Sequence, residues 1–469
     1  MGREPVLVRG RPCDWPGCAE STNPSVSFAH LVSRVSDERR PHVRYIGLDV
    51  HREFCEVAIS EEGRVRSAGR IRTRRAELEL FARSLGRDDE VALESTGGAP
   101  AIAAILRPHV ARVVVVNTKK LRQISEAEAK TDRLDARRLA ELLAAGFLAE
   151  VWCPDEKTRG LRRWVARRAQ LVRRRSRAKN EIAAALARNL LDRPDVYDLS
   201  GKKGRRFLER VELPADERQT VAGCLRQIDF LDQEIALVDR ALAEAAVDSE
   251  EMRRLMSVPG VNPHTAATFM ACVGDIRRFG SPRKLVSYLG LDPKVRQSGA
   301  EPVRYGHISK EGASEARHML CEAAWVVVRY PSPMRAFGER IGARRGAGIA
   351  TVAVARKLAV LFWHLLTKQQ DYAFQRPSLT QRKLRRLELL AGAERRRSGG
   401  RPKRGAPSLK AQQQAELELA RQAETAYRRL VSDWQQAPKK GADATPGRAS
   451  SGRQSGKQRG RASVPGPAL

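Results

Sequence analysis

The order of strand and helix patterns between residues 44 and 116 most constrains the fold of this chain. Short apolar or alternating segments come first, and helical spacing then alternates with further strand patterns. The strand candidates cover residues 45–50, 54–59, 64–71, 91–94 and 113–116, and the helix candidates cover residues 74–86 and 98–107. Three strands suited to antiparallel pairing, followed by alternating helices and strands, predict an α/β domain of about 100 residues.

Four acidic residues share a placement in this domain. Asp49 ends the first strand candidate, Glu94 ends the fourth, and Asp132 and Asp135 open a helix candidate after the fifth. Carboxylates at the strand ends of an α/β sheet lie where ligand sites usually form. Together the four acids predict a two-metal site for phosphoryl chemistry, in which each ion stabilises one side of an in-line displacement.

Asp132 and Asp135 are three residues apart, so both carboxylates lie on one face of a helix. Two unit charges about 4 Å apart repel by roughly 4 kcal/mol at an effective dielectric constant of about 20. A hard divalent cation bound by carboxylate oxygens would offset that repulsion. A solvated helix face, in which Arg133, Arg137 and Arg138 supply the counter-charge, is the alternative.

The balance of charge predicts the kind of partner. The chain carries 87 Lys and Arg against 55 Asp and Glu, a net charge of +32 over 469 residues, which predicts a polyanionic partner, most simply nucleic acid. The longest apolar stretch, residues 348–366, contains Arg356 and Lys357, so no transmembrane span is predicted. Seven scattered cysteines and an N-terminus without a secretory signal pattern predict a cytoplasmic protein.

Two long helical patterns, over about 156–190 and 216–256, predict an antiparallel helical hairpin. The first is strongly basic, which favours binding to a phosphate backbone, although a dimer coil or a solvated helix face is also compatible with the pattern. The candidate nucleic-acid ligands are Arg162, Arg163, Arg167, Arg168, Arg173, Arg174, Arg175 and Lys179.

The segment that follows contains a turn with two interpretations. Val258-Pro259-Gly260-Val261 resembles the turn of a helix-hairpin-helix element, whose backbone N–H groups bind phosphate. Asn262-Pro263 stands where a second glycine is more usual, and proline removes a donor, so a purely structural turn is the alternative. Further on, Ser298 lies in a polar, glycine-flanked loop, and composition alone predicts an ordinary turn residue there.

The motifs of the chain, taken together, resemble the insertion sequence 110/116/902 transposases, a family of recombinases that look to be guided by an RNA. The resemblance covers about residues 44–370. In the N-terminal half it rests on Tyr45-Ile46-Gly47-Leu48-Asp49-Val50-His51, Leu93-Glu94-Ser95-Thr96-Gly97 and Lys130-Thr131-Asp132-Arg133-Leu134-Asp135-Ala136-Arg137. In the C-terminal half it rests on Val258-Pro259-Gly260-Val261, Tyr288-Leu289-Gly290-Leu291-Asp292-Pro293, Gln297-Ser298-Gly299 and Ile308-Ser309-Lys310-Glu311-Gly312.

The resemblance implies a RuvC-like (ribonuclease H-like) domain whose acidic quartet is Asp49, Glu94, Asp132 and Asp135, and a transposase domain whose nucleophile is Ser298. It also implies magnesium, with two ions expected, DNA ends and a DNA target as substrates, a guide RNA, and a homo-oligomer, either a dimer or a tetramer. The expected divisions are a flexible leader (1–43), the RuvC-like domain (44–150), a basic helical coiled-coil (151–254), a mainly α transposase domain (255–375) and a largely disordered basic tail (376–469) with a free helix at 408–431.

Two other functions stay open at this point. A RuvC-like nuclease would hydrolyse DNA at the acidic quartet with water as the nucleophile, and Ser298 would then be structural. A scaffold that binds nucleic acid without catalysis is the other alternative, which the intact acids at all four positions argue against.

Overall fold

A computed structural model describes residues 43–117, 131–299, 301–394 and 408–436. The chain divides after Pro154 into two units, unit 1 up to that residue and unit 2 from Asp155 onward. The predicted leader up to residue 42, Lys130 of the acidic motif, and segments 395–407 and 437–469 of the predicted tail lie outside the described residues.

Unit 1 is a mixed α/β domain built on one five-stranded sheet. Its elements are β1 (Tyr45–Val50), β2 (Phe54–Glu61), β3 (Arg64–Arg72), α1 (Arg75–Arg83), β4 (Glu90–Glu94), α2 (Ala99–Leu106), β5 (Arg112–Val116) and α3 (Asp132–Ala144). The strand order is β3-β2-β1-β4-β5, with β1, β2 and β3 antiparallel and β1, β4 and β5 parallel. The parallel pairs need crossover connections, which α1 and α2 provide.

The alternation of side chains along the strands explains why both faces of the sheet are covered. Val113 and Val115 of β5 share a hydrophobic cluster with residues of α1 and α2. Val114 and Val116 point the other way and cluster with Leu139 of α3. Successive residues of a strand point to opposite faces, so a run of valines is buried on both. The domain therefore has three layers, helix, sheet and helix.

Unit 2 is mainly helical, as predicted. Its elements are α4 (Glu156–Arg188), α5 (Lys202–Arg210), α6 (Ala215–Val247), α7 (Glu250–Met256), α8 (Pro263–Val273), α9 (Pro282–Tyr288), β6 (Pro293–Arg296), β7 (Arg304–Ile308), α10 (Ser314–Val327), α11 (Pro333–Arg345), α12 (Ala347–Lys368), α13 (Pro377–Leu390) and α14 (Leu409–Gln436), with a 3-10 turn at Ile276–Arg278. The prediction of an α/β domain followed by a mainly helical remainder is confirmed.

Helices α4 and α6 are 33 residues each and form the arm of unit 2. Arg168 pairs with Asp239 and Arg188 pairs with Glu217, so partner numbers fall along α6 as they rise along α4. The two helices are therefore antiparallel. The finer interpretation as a coiled-coil stays a prediction.

The second helical pattern, predicted over 216–256, is two helices in the structure. The hydroxyl of Ser249 accepts a hydrogen bond from the backbone N–H of Met252, 3.3 Å away, and so caps a new helix, α7. A serine at this position is a strong start signal because its oxygen satisfies an orphan N–H of the first turn.

Each end of the arm carries a hydrophobic core. The base core contains Leu171 of α4 and Leu242 of α6 together with Leu255, Phe269 and Phe362 from later helices. Because Leu242 and Leu255 belong to one core, the predicted boundary between residues 254 and 255 does not separate two domains. The arm and the helices after it fold as one unit.

The second core, the tip core, lies between α4, α5 and α6. It contains Ile182, Leu208 and Ile228, one from each of these helices. Leu171 and Ile182 belong to different cores although they lie on the same uninterrupted helix. The arm thus joins two separate sets of packed side chains.

Helix α12 is long and apolar enough to cross a membrane by length and composition alone. Its residues Val354, Leu358 and Phe362 are fully buried, and they pack in the base core. The apolar character of α12 is therefore that of a core helix.

The prediction of a largely disordered tail is wrong for the described part of residues 377–436, which forms helices α13 and α14. Leu387 of α13 is buried in the base core. The amine of Lys383 donates to the carbonyl oxygens of Met256 and Val258 at 2.9 and 2.7 Å. The composition of this segment did not predict these contacts, because few of the residues that make them are apolar.

Helix α14 is not a free helix either. The buried carboxylate of Glu424 accepts a hydrogen bond from the backbone N–H of Ser332, 3.0 Å away. Glu416 accepts from the backbone N–H and the hydroxyl of Ser378 at 2.8 and 2.6 Å. These bonds fix α14 at the starts of α11 and α13.

Candidate active site

A close backbone approach sets the geometry of the acidic site in unit 1. A Cβ atom built on Gly47 of β1 would lie 2.1 Å from the carbonyl oxygen of Ala136 in α3. Only glycine fits where the backbone of a helix approaches a strand this closely. Ala136 and Ala140 are fully buried at the same contact, so α3 lies against β1 with its first turn beside the strand end.

Asp49 lies on the same face of β1 as Gly47 and is 5% exposed. Burial raises the pKa of its carboxyl group, since desolvation disfavours the charged form. The neighbouring His51 lowers that pKa, and the charges of Asp135 and Asp132 raise it, so all three side chains act on Asp49. A cation bound at Asp49 would offset both the burial of this carboxylate and its repulsion by Asp132 and Asp135.

His51 lies between two of the predicted acids. Its Nε2 atom is 3.0 Å from Oδ2 of Asp49 and 3.3 Å from Oδ2 of Asp132. Among the residues that the structure describes, these three form the one group of metal-type ligands whose atoms lie within 4.8 Å of one another. The sequence analysis quoted His51 within a motif but did not assign it to the site. Residue 51 follows the end of the first strand candidate, so the strand pattern does not predict where its side chain lies.

The start of α3 presents Asp132 and Asp135. The hydroxyl of Thr131 caps the helix by accepting from the N–H of Leu134, 3.3 Å away. Both acids stand in the first turn, where the helix dipole favours negative charge. Asp135 also pairs with Arg138 at 3.6 Å, which is the counter-charge that the alternative interpretation expected.

Glu94 is the last residue of β4, the strand parallel to β1. Leu93 is in register with Leu48, so Glu94 and Asp49 follow at the adjacent ends of two neighbouring strands. Glu94 is not a member of the three-residue group around His51. The structure thus brings Asp49 and Asp132 together with His51, places Asp135 within electrostatic range, and leaves Glu94 at the next strand end.

Sequence reasoning also missed a buried acid beside the site. Glu56 of β2 lies directly opposite Asp49 in the antiparallel pair and is buried. Its carboxylate pairs with Arg70 at 2.6 Å and with Arg133 at 3.6 Å. Two acids opposite each other on one face repel, and these arginines offset the charge of Glu56. Alternation within β2 could have placed Glu56 on that face.

The donor set suits a divalent cation. Two carboxylates and an imidazole within 4.8 Å of one another could each supply one ligand atom to a single ion. Carboxylate oxygens suit Mg²⁺ and Mn²⁺, whereas an imidazole favours ions such as Mn²⁺ or Zn²⁺ over Mg²⁺. The residues of this site are therefore compatible with a divalent metal ion.

Ser298 lies in unit 2, in the loop of a hairpin that the sequence analysis did not predict. Strands β6 and β7 form the hairpin, and Ser298 and Gly299 are exposed in the connection between them. The backbone oxygen of Ser298 accepts from the N–H of Glu301 at 3.2 Å. The short, polar strands lack the apolar alternation that would have revealed them.

Two glycines hold the base of this hairpin. A Cβ atom on Gly290 would lie 2.1 Å from the carbonyl oxygen of Glu311, and one on Gly312 would lie 2.1 Å from that of Tyr288. Both glycines have positive φ angles, +67° and +91°. The segments before β6 and after β7 therefore meet backbone to backbone, which explains the spacing of the two glycine-containing motifs.

The hairpin presents like charges across its strands. Arg296 and Arg304 are directly opposite each other and both are exposed. Glu301 pairs with Arg304 at 3.2 Å. Like charges in directly opposite positions destabilise a hairpin, so this pair favours an anion as its neighbour.

The basic residues predicted to bind nucleic acid are mostly engaged within unit 2. Arg162 donates to the carbonyl oxygens of Ala271 and Cys272 at 2.7 and 3.2 Å, so it satisfies the end of α8. The ion pairs are Arg163 with Glu156, Arg167 with Glu234, Arg168 with Asp239, Arg173 with Glu315, Arg175 with Asp232 and Lys179 with Asp198. Arg174 is exposed and has no such partner within the described part of the chain.

The turn at residues 258–262 connects α7 and α8, as a helix-hairpin-helix element would. Gly260 has a φ angle of +88°, and a Cβ atom there would lie 3.1 Å from the carbonyl oxygen of Ala323 in α10. Asn262 caps α8 by accepting from the N–H of Thr265 at 2.8 Å. Both contacts have a structural purpose, and phosphate binding by this turn stays a prediction.

Comparisons with known proteins agree with this arrangement. A family model described as a transposase, of the DEDD type of IS110, matches residues 46–189, which include all four predicted acids. A second model, described as the transposase IS116/IS110/IS902 family, matches residues 252–339, which include Ser298.

Curated relatives match most of the chain. The transposase for insertion sequence element IS1111A of Coxiella burnetii is 27% identical over 360 residues, covering 73% of this chain and 95% of the relative. A probable family 20 transposase of Pseudomonas aeruginosa is 26% identical over 342 residues, covering 70% and 98%. The transposase for insertion sequence element IS1328 of Yersinia enterocolitica is 24% identical over 339 residues, covering 70% and 98%.

A mixed sheet of this strand order with an acidic cluster at its edge fits a DEDD, or RuvC-like, domain followed by a helical transposase domain. The class of protein is therefore a transposase. Within that class, the chain belongs to the IS116/IS110/IS902 family of insertion-sequence transposases.

Proposed function

We propose that this transposase cuts and rejoins DNA through a covalent bond to Ser298, assisted by divalent magnesium at the acidic site of unit 1. The observation that carries the proposal is the exposure of Ser298 on a hairpin held at its base by Gly290 and Gly312. A nucleophile must be both accessible and fixed, because small displacements of the reacting atoms cost large factors in rate.

The chemistry of the proposed step balances. The Ser298 Oγ attacks a DNA phosphorus atom and loses its proton, the Oγ–P bond forms, and the bond to a deoxyribose oxygen breaks. That oxygen takes up a proton and leaves as a hydroxyl group. The reverse attack by the hydroxyl of another strand rejoins the DNA without an external energy source.

Two groups of residues would support that step. Arg296 and Arg304, opposite each other beside the serine loop, supply positive charge where a phosphate would bind. Asp49, Asp132 and His51 would hold one metal ion, and Asp135 and Glu94 belong to the proposed two-ion arrangement. A bound metal ion would neutralise part of the negative charge that develops on the phosphate.

Nucleic-acid binding by the arm forms part of the same proposal. Binding of a guide RNA would leave the choice of DNA sequence to base pairing, while the protein holds the backbones. The net charge of +32 supports a polyanionic partner, and the exposed Arg174 of α4, which has no ion pair with a described residue, is the residue of the predicted set best placed to contact one. A dimer or tetramer is the expected assembly.

The test is to trap the covalent intermediate. Wild-type protein, Ser298→Ala, Ser287→Ala and Asp132→Asn are incubated with DNA that carries the element ends and with its RNA, and denatured samples are analysed for a protein–DNA adduct. We expect the adduct with wild type and with Ser287→Ala, none with Ser298→Ala, and at least a hundredfold less with Asp132→Asn. An undiminished adduct with Ser298→Ala would overturn the proposal, and DNA cleavage without any adduct would favour the nuclease alternative.

A further inference from the structure

The tip of the arm carries a set of positive charges that the arm's own acids do not neutralise. Helix α5 holds Lys202, Lys203, Arg206 and Arg210 exposed, and none of them makes an ion pair or a side-chain hydrogen bond with another described residue. Along α4, by contrast, most basic residues pair with acids of unit 2. Within the described part of the arm, the basic residues without an ion pair are therefore densest on α5.

The packing of α5 fixes which side faces outward. A Cβ atom on Gly204 would lie 2.2 Å from the carbonyl oxygen of Leu199, so the helix rests directly on the preceding loop. Leu208 is buried in the tip core. Arg205 reaches back to α6, where it pairs with Asp229 at 2.5 Å. These contacts leave the opposite side of α5 to solvent.

Lys203, Arg206 and Arg210 form a straight row on that side, here called the tip ridge. Residues three and four apart on a helix are neighbours on one face. At 1.5 Å of rise per residue the row spans about 10 Å along the helix axis, with steps of about 4.5 and 6 Å. Glu209, the one acid within α5, lies three residues after Arg206 and about a quarter of a turn from the middle of the row, and it makes no ion pair with a described residue.

An exposed aromatic ring lies in the loop that precedes α5. Tyr197 is fully exposed and lies five residues before α5, in the loop on which the helix rests. The loop is ordered by Asp198, which pairs with Lys179 at 2.5 Å and accepts hydrogen bonds from the backbone N–H and the hydroxyl of Ser200. An exposed tyrosine on a fixed loop is a platform for a stacked base, because every base has a π-face.

We infer that the tip ridge and Tyr197 bind a single-stranded segment of polynucleotide, with phosphates on Lys203, Arg206 and Arg210 and one base stacked on Tyr197. The inference deepens the proposed function and rests on its nucleic-acid partner. Residues 197–210 lie between the two stretches that match the family models, 46–189 and 252–339, so this surface belongs to a part of the chain that those models do not cover.

The experiment maps binding directly at the tip, since a chain of this charge binds polyanions elsewhere as well. Full-length protein is photo-crosslinked to a 12-nucleotide unstructured RNA with 4-thiouridine, or to the DNA equivalent with 4-thiothymidine, and the attached peptide is identified by mass spectrometry. We expect crosslinks in the peptide that contains Tyr197, and the two oligonucleotides show whether RNA or DNA is the better ligand. Absence of crosslinks from that peptide with both would overturn the inference.

Variants separate the ridge from general charge. Lys203→Ala, Arg206→Ala and Arg210→Ala together should reduce the Tyr197 crosslink at least tenfold. In anisotropy titrations they should lower the slope of log affinity against log salt by about 2, from about 0.7 per lost phosphate contact. The matched control, Arg83→Ala, Arg87→Ala and Arg107→Ala, removes three exposed charges from unit 1 and should leave the crosslink unchanged. Equal effects of the two triple variants would refute a site at the tip.

Stacking and strandedness are tested separately. Tyr197→Phe should retain the crosslinked position, whereas Tyr197→Ala should weaken binding about fivefold or more. A 12-base-pair duplex that binds the ridge better than either single strand would contradict the inference. Ser298→Ala should leave the crosslink intact, so failure of the serine mechanism and failure of the tip site give different results.

Discussion

The α-carbon of Gly47 in β1 faces the carbonyl oxygen of Ala136 in α3 so closely that a methyl group on Gly47 would lie 2.1 Å from that oxygen. This contact brings the first turn of α3 beside the end of β1. The positions of Asp132 and Asp49 therefore depend on a residue that has no side chain.

Replacing Gly47 with alanine should separate α3 from the sheet. We expect a loss of about 1–3 kcal/mol in the free energy of unfolding of unit 1, because the backbone must shift to admit the methyl group. Gly97→Ala is the control, since nothing lies within 4 Å of a Cβ atom there. Urea unfolding followed by circular dichroism measures both, and equal stabilities would show that the contact is not tight.

His51→Ala should weaken metal binding. The imidazole lies 3.0 and 3.3 Å from the carboxylates of Asp49 and Asp132, and its loss removes one of three ligand atoms. We expect Mn²⁺ affinity to fall on the order of tenfold or more, measured by isothermal titration calorimetry. Arg52→Ala, at the exposed neighbouring position, is the control. An unchanged affinity would mean that His51 is not a ligand.

Gly312→Ala should damage the serine hairpin without touching Ser298. A Cβ atom at Gly312 would collide with the carbonyl oxygen of Tyr288, and the φ angle of +91° disfavours alanine in any case. We expect covalent adduct formation to fall at least tenfold while oligonucleotide binding changes little. Gly280→Ala, a position with open space, should behave as wild type. Circular dichroism monitors folding, and a Gly312→Ala protein that unfolds is assayed at a lower temperature at which it is folded, where full adduct yield would contradict the prediction.

Lys383 should make stability depend on pH. Burial lowers the pKa of its amine from 10.5 to about 7, while the unfolded chain keeps the ordinary value. Between these pH values the unfolded state binds more protons, so the free energy of unfolding should rise as the pH rises. A neutral amine still carries two hydrogens for the carbonyl oxygens of Met256 and Val258.

The measurement is urea unfolding at several pH values from 7 to 9.5. Lys383→Met should flatten the rise, whereas Lys284→Met, at an exposed position, should not. Equal pH dependence of wild type and Lys383→Met over this range would show that the amine is charged in the folded protein.

The sequence predicted the sheet of unit 1 because its strands are apolar, separate and correctly ordered. It also predicted the acids, since strand ends and the first turn of a helix are local features. The place of His51 in the site was not predicted, because it depends on the distance between β1 and α3, which no local sequence pattern contains. The hairpin of Ser298 was not predicted because its strands are polar. Helices α13 and α14 were not predicted as packed elements because a few polar contacts, such as those of Lys383 and Glu424, hold them in place of a broad apolar face.

The uninterrupted helix α4 sets a fixed distance between the base core and the tip core. Leu171 lies in the base core and Leu186 in the tip core, and at 1.5 Å per residue the 15 residues between them measure about 22 Å. That is roughly the length of six stacked nucleotides at 3.4 Å each. A polynucleotide held at both ends of the arm would thus have a minimum length set by the number of residues in α4, and inserting or deleting whole helical turns there would change that length in steps of about 5.4 Å.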